Sequence, residues 1–282
     1  MDPFPLFTSI PPNSNFGPIV ENWREAGFRV ISINSRREAA RVFGVETIAI
    51  ETDELKLPIS LMLDAIHETA EPFAGIINAD CKFLTPVDFD TIRRCAAKSI
   101  ILAERIDVDH QGAPALFRPY GFDAVFFDTS AINELRKSSA FKMGMPWWDY
   151  WLPTAFRYAG FQIKKFDFPI LTHEVHPIRW NDPYTLMMFA EDFKSAFPDH
   201  PAISQGHKMG TIIYRDLLDS PTISATEVPP PIAKIISGVP HIVTRATDSW
   251  EWRHLWILLP VRFAWRQYKM MRIKRRRSKE RS

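Results

Sequence analysis

The fold of this chain is decided by one short stretch, Ala74-Gly75-Ile76-Ile77-Asn78-Ala79-Asp80. It is an apolar run that ends abruptly in polar residues, and Pro72 and Pro86 flank it. A short apolar run bounded by turn residues is typical of a buried strand in a parallel sheet. Ligands of open α/β sheets bind outside the carboxyl ends of the strands. We therefore expect a strand at 74–78, with Asp80 at the ligand-binding edge.

Asp80 has two interpretations. A carboxylate at this edge can hold a hard divalent cation, Mn²⁺ or Mg²⁺, which would bridge the phosphates of a nucleotide. A single Asp after a strand is also common turn chemistry, in which the carboxylate only accepts hydrogen bonds from nearby backbone. This stretch alone leaves both interpretations open.

The neighbouring segments repeat the pattern of strand and helix. Strands are predicted at 4–10, 28–34 and 47–51, and helices at 36–43 and 58–67. Ser35 and Pro58 carry the residue types that favour a helix beginning. This alternation predicts parallel strands joined by right-handed crossovers. The expected fold class is α/β, with a mixed, mainly parallel sheet flanked by helices.

Charge is distributed unevenly along the chain. The net charge is +2, but residues 262–282 contain ten Lys or Arg and one Glu, which leaves −7 for the rest. Such a basic segment indicates an acidic partner. Two Cys make no disulfide framework and favour a reducing compartment. Residues 1–12 lack the pattern of a signal peptide, and no apolar run reaches the ~18 residues of a membrane span.

The basic segment also predicts an amphipathic helix. Leu258, Val261, Trp265 and Tyr268 would share one face, and Arg262, Arg266 and Lys269 another. Such a helix lies in a membrane interface, and we expect Trp256, Trp265 and these three cations to bind it. Nucleic acid is the competing acidic partner, ranked lower because the apolar face favours an apolar medium. A helix docked on the body with a disordered basic end is the structural alternative.

Several familiar motifs are missing from the sequence. There is no Gly-x-Gly-x-x-Gly, no Walker loop and no Gly-x-Ser-x-Gly elbow. Their absence counts against a dinucleotide-binding domain, a P-loop enzyme and an α/β-hydrolase. Polar residues instead end three successive predicted strands: Thr8 and Ser9, Asn34 and Ser35, Asn78 and Asp80. Each alone is ordinary turn chemistry, but together they suit a nucleoside and its diphosphate.

These polar residues at the strand ends form a rim at one edge of the predicted sheet. With this rim the chain resembles the nucleotide-sugar glycosyltransferases of the GT-A fold, over residues 1 to about 200. That family has a nucleotide-binding βαβ half and an Asp-x-Asp motif after a strand near the middle of the domain. The corresponding residues are Asn78-Ala79-Asp80, so the first Asp is replaced by Asn. The resemblance implies that Asp80 binds the metal or the sugar diphosphate.

A second matching segment is Met145-Pro146-Trp147-Trp148-Asp149-Tyr150-Trp151. Inverting enzymes of this fold place a carboxylate at a helix start near the acceptor, so the resemblance implies that Asp149 is the general base. The helix dipole would stabilise its charge there. Trp147, Trp148 and Tyr120 would contact the acceptor. Alternatively, Asp149 is only a helix N-terminal charge, the Trp residues are core, and Gly121 makes a turn.

A third segment, Thr172 to Trp180, contains His173, His176 and Arg179. Many relatives supply a late His as a further metal ligand, so the resemblance implies that His173 or His176 has this role. Arg179 could neutralise the leaving diphosphate. A lone His is more often structural.

Together these expectations describe a glycosyltransferase that acts in polysaccharide biosynthesis. Residues 1–225 would form a GT-A-like catalytic domain, 226–249 a Pro-containing linker and 250–282 the basic amphipathic helical tail. The enzyme would take a nucleotide-diphosphate sugar, use a saccharide or lipid-linked acceptor, and bind no nucleic acid. It would be cytoplasmic and peripheral on the inner face of the membrane. The alternatives are an inactive GT-A-like sugar- or nucleotide-binding protein and a nucleotidyltransferase of related fold.

Overall fold

Strands and helices alternate along the first half of the chain, as the sequence predicts. The computed structural model describes residues 3–12, 15–54, 56–110, 112, 121–135, 137–175 and 183–224. Its strands are β1 (Phe4–Thr8), β2 (Phe28–Ser35), β3 (Glu46–Ile50), β4 (Phe73–Ile77), β5 (Cys81–Phe83), β6 (Ser99–Ala103), β7 (Arg105–Val108), β8 (Ala124–Asp128), β9 (Gln162–Phe166), β10 (Leu171–Glu174) and β11 (Thr222–Ile223). Its α-helices are α1 (Gly17–Glu25), α2 (Arg36–Ala39), α3 (Ile59–Glu68), α4 (Phe89–Ala96), α5 (Trp148–Tyr158), α6 (Pro183–Ala196) and α7 (Met209–Leu218). Two 3₁₀ segments lie at Thr129–Asn133 and Pro201–Lys208.

The central sheet has the order β11-β9-β6-β8-β4-β1-β2-β3. Its paired strands are parallel except where β8 pairs antiparallel with β4 and β6. This confirms the expected mixed, mainly parallel sheet flanked by helices. Because β8 runs the opposite way, Ala124 at its beginning pairs with Ile77 and Ala103, the last residues of β4 and β6.

A small second sheet with the order β5-β10-β7 joins the carboxyl edge of the central sheet. Strand β5 follows directly after Asp80, and β7 follows the end of β6. His173 in the middle strand pairs with Cys81 on one side and Asp107 on the other. The small sheet therefore places residues from three separate segments next to one another.

The two faces of the central sheet are covered by different helices. Phe7 of β1 packs in the layer that contains helices α3 and α5, whereas its neighbour Leu6 packs in the layer that contains Trp23 of α1. This alternation follows from the two-residue period of a strand. Each fully buried side chain of this size contributes about 1.5–3 kcal/mol to folding, so both layers stabilise the sheet.

Gly75 has a packing reason to be glycine. A Cβ atom there would lie 2.9 Å from the Leu6 side chain and 3.0 Å from the Phe126 ring. These residues belong to the strands on either side of β4. The small residue thus lets two large apolar side chains meet across the middle strand.

Several predicted boundaries were wrong. The first strand ends at Thr8, because the N–H of Ile10 donates to Ser32 Oγ instead of to a neighbouring strand. The helix predicted to run to residue 43 ends at Ala39, since it has no buried residue to anchor it, and Phe43 is 85% exposed. Pro58 is the N-cap of α3 and precedes its first turn.

The predicted linker and tail, 226–249 and 250–282, lie outside the described residues, so this division of the chain stays a prediction. Among the helices that are described, none is both long and apolar enough to cross a bilayer.

Candidate functional site

Charged side chains gather where the small sheet meets the carboxyl edge of the central sheet. Asp80 follows the end of β4 and precedes β5. Helix α1 fixes the backbone that follows Asp80, since the Trp23 indole N–H donates to the carbonyl of Cys81 over 2.9 Å. The Asn22 side chain also bonds the N–H and the carbonyl of Phe83. Helix α1 therefore determines where Asp80 lies.

Asp80 and His173 face each other across this edge. The distance from His173 Nε2 to Asp80 Oδ2 is 3.5 Å, and the Asp80 side chain is 41% exposed. Two ligands bound about 2.1 Å from one cation lie roughly 3–3.5 Å apart. On the other side, His173 Nδ1 lies 2.9 Å from Asp107 Oδ1, the carboxylate–histidine arrangement that orients metal-binding imidazoles. Asp80 and His173 therefore fit as two ligands of one cation.

The charge state of His173 follows from the same contacts. Burial lowers the pKa of His173, but the hydrogen bonds with Asp107 and Asp80 raise it more, to about 9. Without a cation the ring is charged at neutral pH, and a binding metal must displace its proton. Within the described residues, no group of three or more His, Cys, Asp or Glu is arranged to hold a metal ion. A cation here would need further ligands from phosphates or water.

Arg105 connects this pair to the rest of the edge. Its Nε donates to Asp107 Oδ1 over 3.0 Å, and its Nη1 lies 2.6 Å from Asp123 Oδ1. The exposed fractions of the three side chains are only 19%, 6% and 8%, respectively. Burial lowers the pKa of Arg105, but the carboxylate of Asp123 and other nearby negative charges raise it by more. The pKa of Arg105 therefore lies above its usual value. The guanidinium thus neutralises two carboxylates that would otherwise repel each other.

Asn78, the residue that departs from the family motif, has a defined partner. Its side-chain amide donates to Asp123 Oδ1 over 2.6 Å, and its backbone N–H donates to the Asp123 carbonyl over 2.8 Å. Both bonds form because β8 begins where β4 ends. The amide of Asn78 therefore ties two strand ends together, and a carboxylate at this position would face that of Asp123.

Asp149 approaches the same edge from α5. It occupies the first turn of this helix, as the sequence predicts. Its Oδ2 accepts a hydrogen bond of 3.2 Å from the backbone N–H of Phe122. Gly121 lies against the same carboxylate and has a φ of +127°, a backbone conformation that glycine adopts most readily. Asp149 is thus held beside the segment that leads into β8.

The surroundings of Asp149 disfavour its charge. Burial of the carboxyl and the nearby charge of Asp123 raise its pKa to about 7, although the Phe122 N–H and Arg105 oppose the shift. The effects of burial and of the Asp123 charge outweigh that of the helix dipole, which the sequence predicts to stabilise the carboxylate. The residue still keeps partial exposure. The carboxyl group itself is buried, and a carboxyl whose pKa lies near neutrality is suited to accept a proton.

The tryptophans of α5 belong to the core. Trp147 is 8% exposed, and its ring packs on Tyr150 and Phe193. Trp148 is 2% exposed and Trp151 is fully buried. Little of the Trp148 ring is left for an acceptor, so the structure favours the interpretation of these rings as core. The proposed acceptor role of Trp147 and Trp148 stays untested.

The predicted donor residues at the ends of β1 and β2 have partners within the protein. Asn34 donates to the carbonyl of Ile10 and accepts from Ser32 Oγ, so it fastens the loop after β1. Ser9 Oγ lies 3.5 Å from the Asn34 amide nitrogen. Ser35 caps α2 by accepting from the N–H of Glu38, as predicted. These contacts are structural, and the donor-binding role of Ser9, Asn34 and Ser35 stays a prediction.

Thr8 is different from its neighbours on this rim. Its Oγ1 is buried and has no hydrogen-bond partner among the described residues. Leaving a buried hydroxyl unpaired costs about 1–3 kcal/mol. Thr8 is fully buried, so its donor-binding role stays a prediction.

Several predicted site residues lie outside the described residues. These are Tyr120, His176, Arg179 and the five predicted membrane residues Trp256, Arg262, Trp265, Arg266 and Lys269. Their roles therefore stay predictions.

Sequence analysis missed Arg105, Asp107 and Asp123. The sequence predicts a single strand from Ser99 to Arg105, but β6 ends at Ala103 and β7 begins at Arg105. The Arg-x-Asp pattern puts Arg105 and Asp107 on one face of that short strand, and this spacing was the available signal.

Comparison with known proteins adds little to this geometry. No protein-family model matches the chain, and no curated protein matches its sequence. Its fold is similar to HddC from Yersinia pseudotuberculosis complexed with GMP-PN, with 10% identity over 46% of this chain and 78% of that one, at a TM-score of 0.30. It is also similar to a mutant of Drosophila β1,4-galactosyltransferase 7 in complex with manganese, UDP-Gal and xylobiose. That match has 10% identity over 57% of this chain and 64% of that one, at a TM-score of 0.34.

Proposed function

We propose that this chain is a nucleotide-sugar-dependent glycosyltransferase. It would move a sugar from a nucleotide diphosphate to a saccharide or a membrane-displayed acceptor. One observation carries the proposal. The sheet edge presents one exposed carboxylate beside a histidine, at Asp80, and one carboxyl with a pKa of about 7, at Asp149. Two carboxylates in such different surroundings suit two different roles at one site.

The donor half of the site is proposed around Asp80. Asp80 and His173 would hold Mn²⁺ or Mg²⁺, and their separation of 3.5 Å fits two ligands of one ion. The cation would neutralise charge on the diphosphate as it leaves. Arg179, and His176 as a further ligand, are proposed from sequence position. Thr8 is proposed from its position at the end of β1.

The acceptor half is proposed around Asp149. Its ionised carboxylate would accept the proton of an acceptor hydroxyl while that oxygen attacks the anomeric carbon. The bond from this carbon to the diphosphate oxygen would break as the new glycosidic bond forms. The nucleotide diphosphate takes the electron pair, and Asp149 keeps the proton until water removes it. Attack opposite the leaving group inverts the configuration.

The basic tail supports the proposed location of the reaction. Its cations, and the Trp-containing face that the sequence predicts for a helix there, would suit an anionic membrane surface. An enzyme held on the cytoplasmic face could then reach a lipid-linked saccharide. A role in polysaccharide biosynthesis follows from such an acceptor.

Turnover of candidate donors tests this proposal. UDP- and GDP-sugars would be incubated with the protein, Mn²⁺ and saccharide or lipid-linked acceptors. Release of the nucleoside diphosphate would be measured for the wild type and for Asp149→Asn. The expected result is release by the wild type and a loss of at least about 100-fold in the variant. Tight nucleotide binding without any turnover would instead support the inactive binding protein.

A further inference from the structure

We propose that Asp123 is the positioning residue of this site. Its carboxylate and backbone join the end of β4, which carries Asp80, to the segment that holds Asp149. The inference rests on the proposed function for the roles of Asp80 and Asp149, but the contacts that carry it do not depend on that function.

The first half of the connection runs to β4. Asn78 donates both its backbone N–H and its side-chain amide to Asp123, over 2.8 and 2.6 Å. The carbonyl of Asn78 in turn accepts from the N–H of Cys81 over 3.3 Å, which closes the turn that contains Asp80. A shift of Asp123 would therefore move the turn on which Asp80 lies.

The second half of the connection runs to α5. The N–H of Asp123 donates to the carbonyl of Ala103 over 3.2 Å, and this fixes residue 123 to the end of β6. The preceding N–H, that of Phe122, donates to Asp149 over 3.2 Å. Adjacent residues of one rigid backbone segment thus hold the donor turn and the carboxyl of Asp149.

Arg105 makes this connection electrostatically possible. Asp123 Oδ1 accepts a hydrogen bond of 2.6 Å from Asn78 and forms an ion pair of 2.6 Å with Arg105 Nη1, so one oxygen contacts groups from two separate segments. The carboxylate is only 8% exposed. A buried carboxylate needs such donors, because losing one partner of a buried ion pair is strongly destabilising. The short, charge-assisted bonds leave Asp123 little freedom to move.

The pairing also gives a reason for Asn at position 78. With Asp at both positions, two carboxylate oxygens would meet at the 2.6 Å now spanned by the hydrogen bond. Like charges at such a distance repel strongly in a buried site. The amide is therefore matched to Asp123. Swapping the two residues would remove the pair of facing carboxylates, but it would leave an amide in place of the carboxylate beside Arg105.

Swapping residues 78 and 123 tests the inference. Backbone hydrogen exchange at Phe122 would be measured in the wild type, in Asn78→Asp and in the double variant Asn78→Asp with Asp123→Asn. We expect hydrogen exchange at least tenfold faster in Asn78→Asp and partly restored in the double variant, which removes the facing carboxylates but also loses the ion pair with Arg105. Asn133→Asp, an exposed amide at the opposite edge, is the control and should change nothing. If Asn78→Asp fails to fold, recovery of a folded chain in the double variant is the expected result.

Unchanged exchange in Asn78→Asp, or a double variant no better than the single one, would overturn the inference. A second readout reports on Asp149 itself. Its carboxyl ¹³C signal, identified by its loss in Asp149→Asn, should titrate at lower pH in Asp123→Asn, because the neighbouring negative charge is gone. An unchanged titration would also count against the inference. Neither readout needs a nucleotide, so both remain decisive even if calorimetry with UDP, GDP and Mn²⁺ shows no binding and the proposed function fails.

Discussion

Gly121 lies directly against the carboxyl of Asp149. A Cβ atom placed on Gly121 would overlap Oδ2 of Asp149 and lie 3.3 Å from its Cγ. The same residue has a φ of +127°. The glycine therefore gives Asp149 the space to reach the N–H of Phe122.

Replacing Gly121 with Ala should displace the carboxyl of Asp149. A displacement of about 1 Å in a catalytic group can cost roughly 100-fold in rate. We expect that loss in the rate of nucleotide release from a sugar nucleotide, together with about 1–3 kcal/mol of stability from backbone strain.

Gly44→Ala is the matched control for this variant. Gly44 also has a positive φ, of +77°, but no atom lies within 4 Å of a Cβ placed there. It should lose stability through strain and keep its rate. Equal rates in Gly121→Ala and the wild type would show that the position of Asp149 does not matter for turnover.

Asp149 should make stability depend on pH. Its pKa rises from 3.8 to about 7 on folding, so the native state holds a proton that the unfolded chain releases between these values. This contribution to the free energy of unfolding is fully present below pH 3.8 and is lost as pH rises through about 7. Between pH 5 and pH 8, Asp149→Asn should become more stable relative to the wild type by about 2–3 kcal/mol.

Urea unfolding of both proteins at the two pH values measures this change. Asp53→Asn removes an exposed carboxyl and serves as the control, which should follow the wild type. A constant difference between the wild type and Asp149→Asn across this range would mean that Asp149 stays ionised in the native state.

The same pKa predicts the pH dependence of the reaction. A general base works only when it is ionised, so the rate should increase with pH up to about 7 and then level off. Initial rates measured from pH 5 to pH 9 at saturating donor would show this increase and the plateau above it. A rate that is flat through pH 7 would assign the proton transfer to another group.

The basic tail predicts salt-sensitive membrane binding. Reversing three tail charges, with Arg262→Glu, Arg266→Glu and Lys269→Glu, should weaken binding to phosphatidylserine vesicles, since each cation contributes about 1 kcal/mol. Flotation at low and high salt would measure it. Reversing three exposed cations of the body, Arg36, Arg37 and Arg41, is the matched control and should have little effect. Binding that survives the tail reversal would show that the tail charges do not hold the membrane.

Local signals predicted the first strands of the central sheet and their parallel crossovers, but not the small second sheet or the full set of charges at the site. Apolar runs and helix-capping residues act over a few positions, so β4 and the cap at Ser35 were identified from sequence. The sequence predicts Asp123 only as the first residue of a strand at 123–127, and the observed strand is Ala124–Asp128. What brings Asp123 to Asn78 is the reversed direction of β8, and pairing between distant strands leaves no trace in the spacing of either segment.

The most direct test of the proposed donor site is calorimetric titration of the full chain with UDP and GDP, with and without Mn²⁺. The wild type should bind one of the two nucleotides, and binding should weaken strongly without the cation. Asp80→Ala should lose the Mn²⁺-dependent part of the affinity, whereas Asp53→Ala should retain it. Absence of binding by either nucleotide under all conditions, or Mn²⁺-dependent binding that Asp80→Ala leaves intact, would contradict the account.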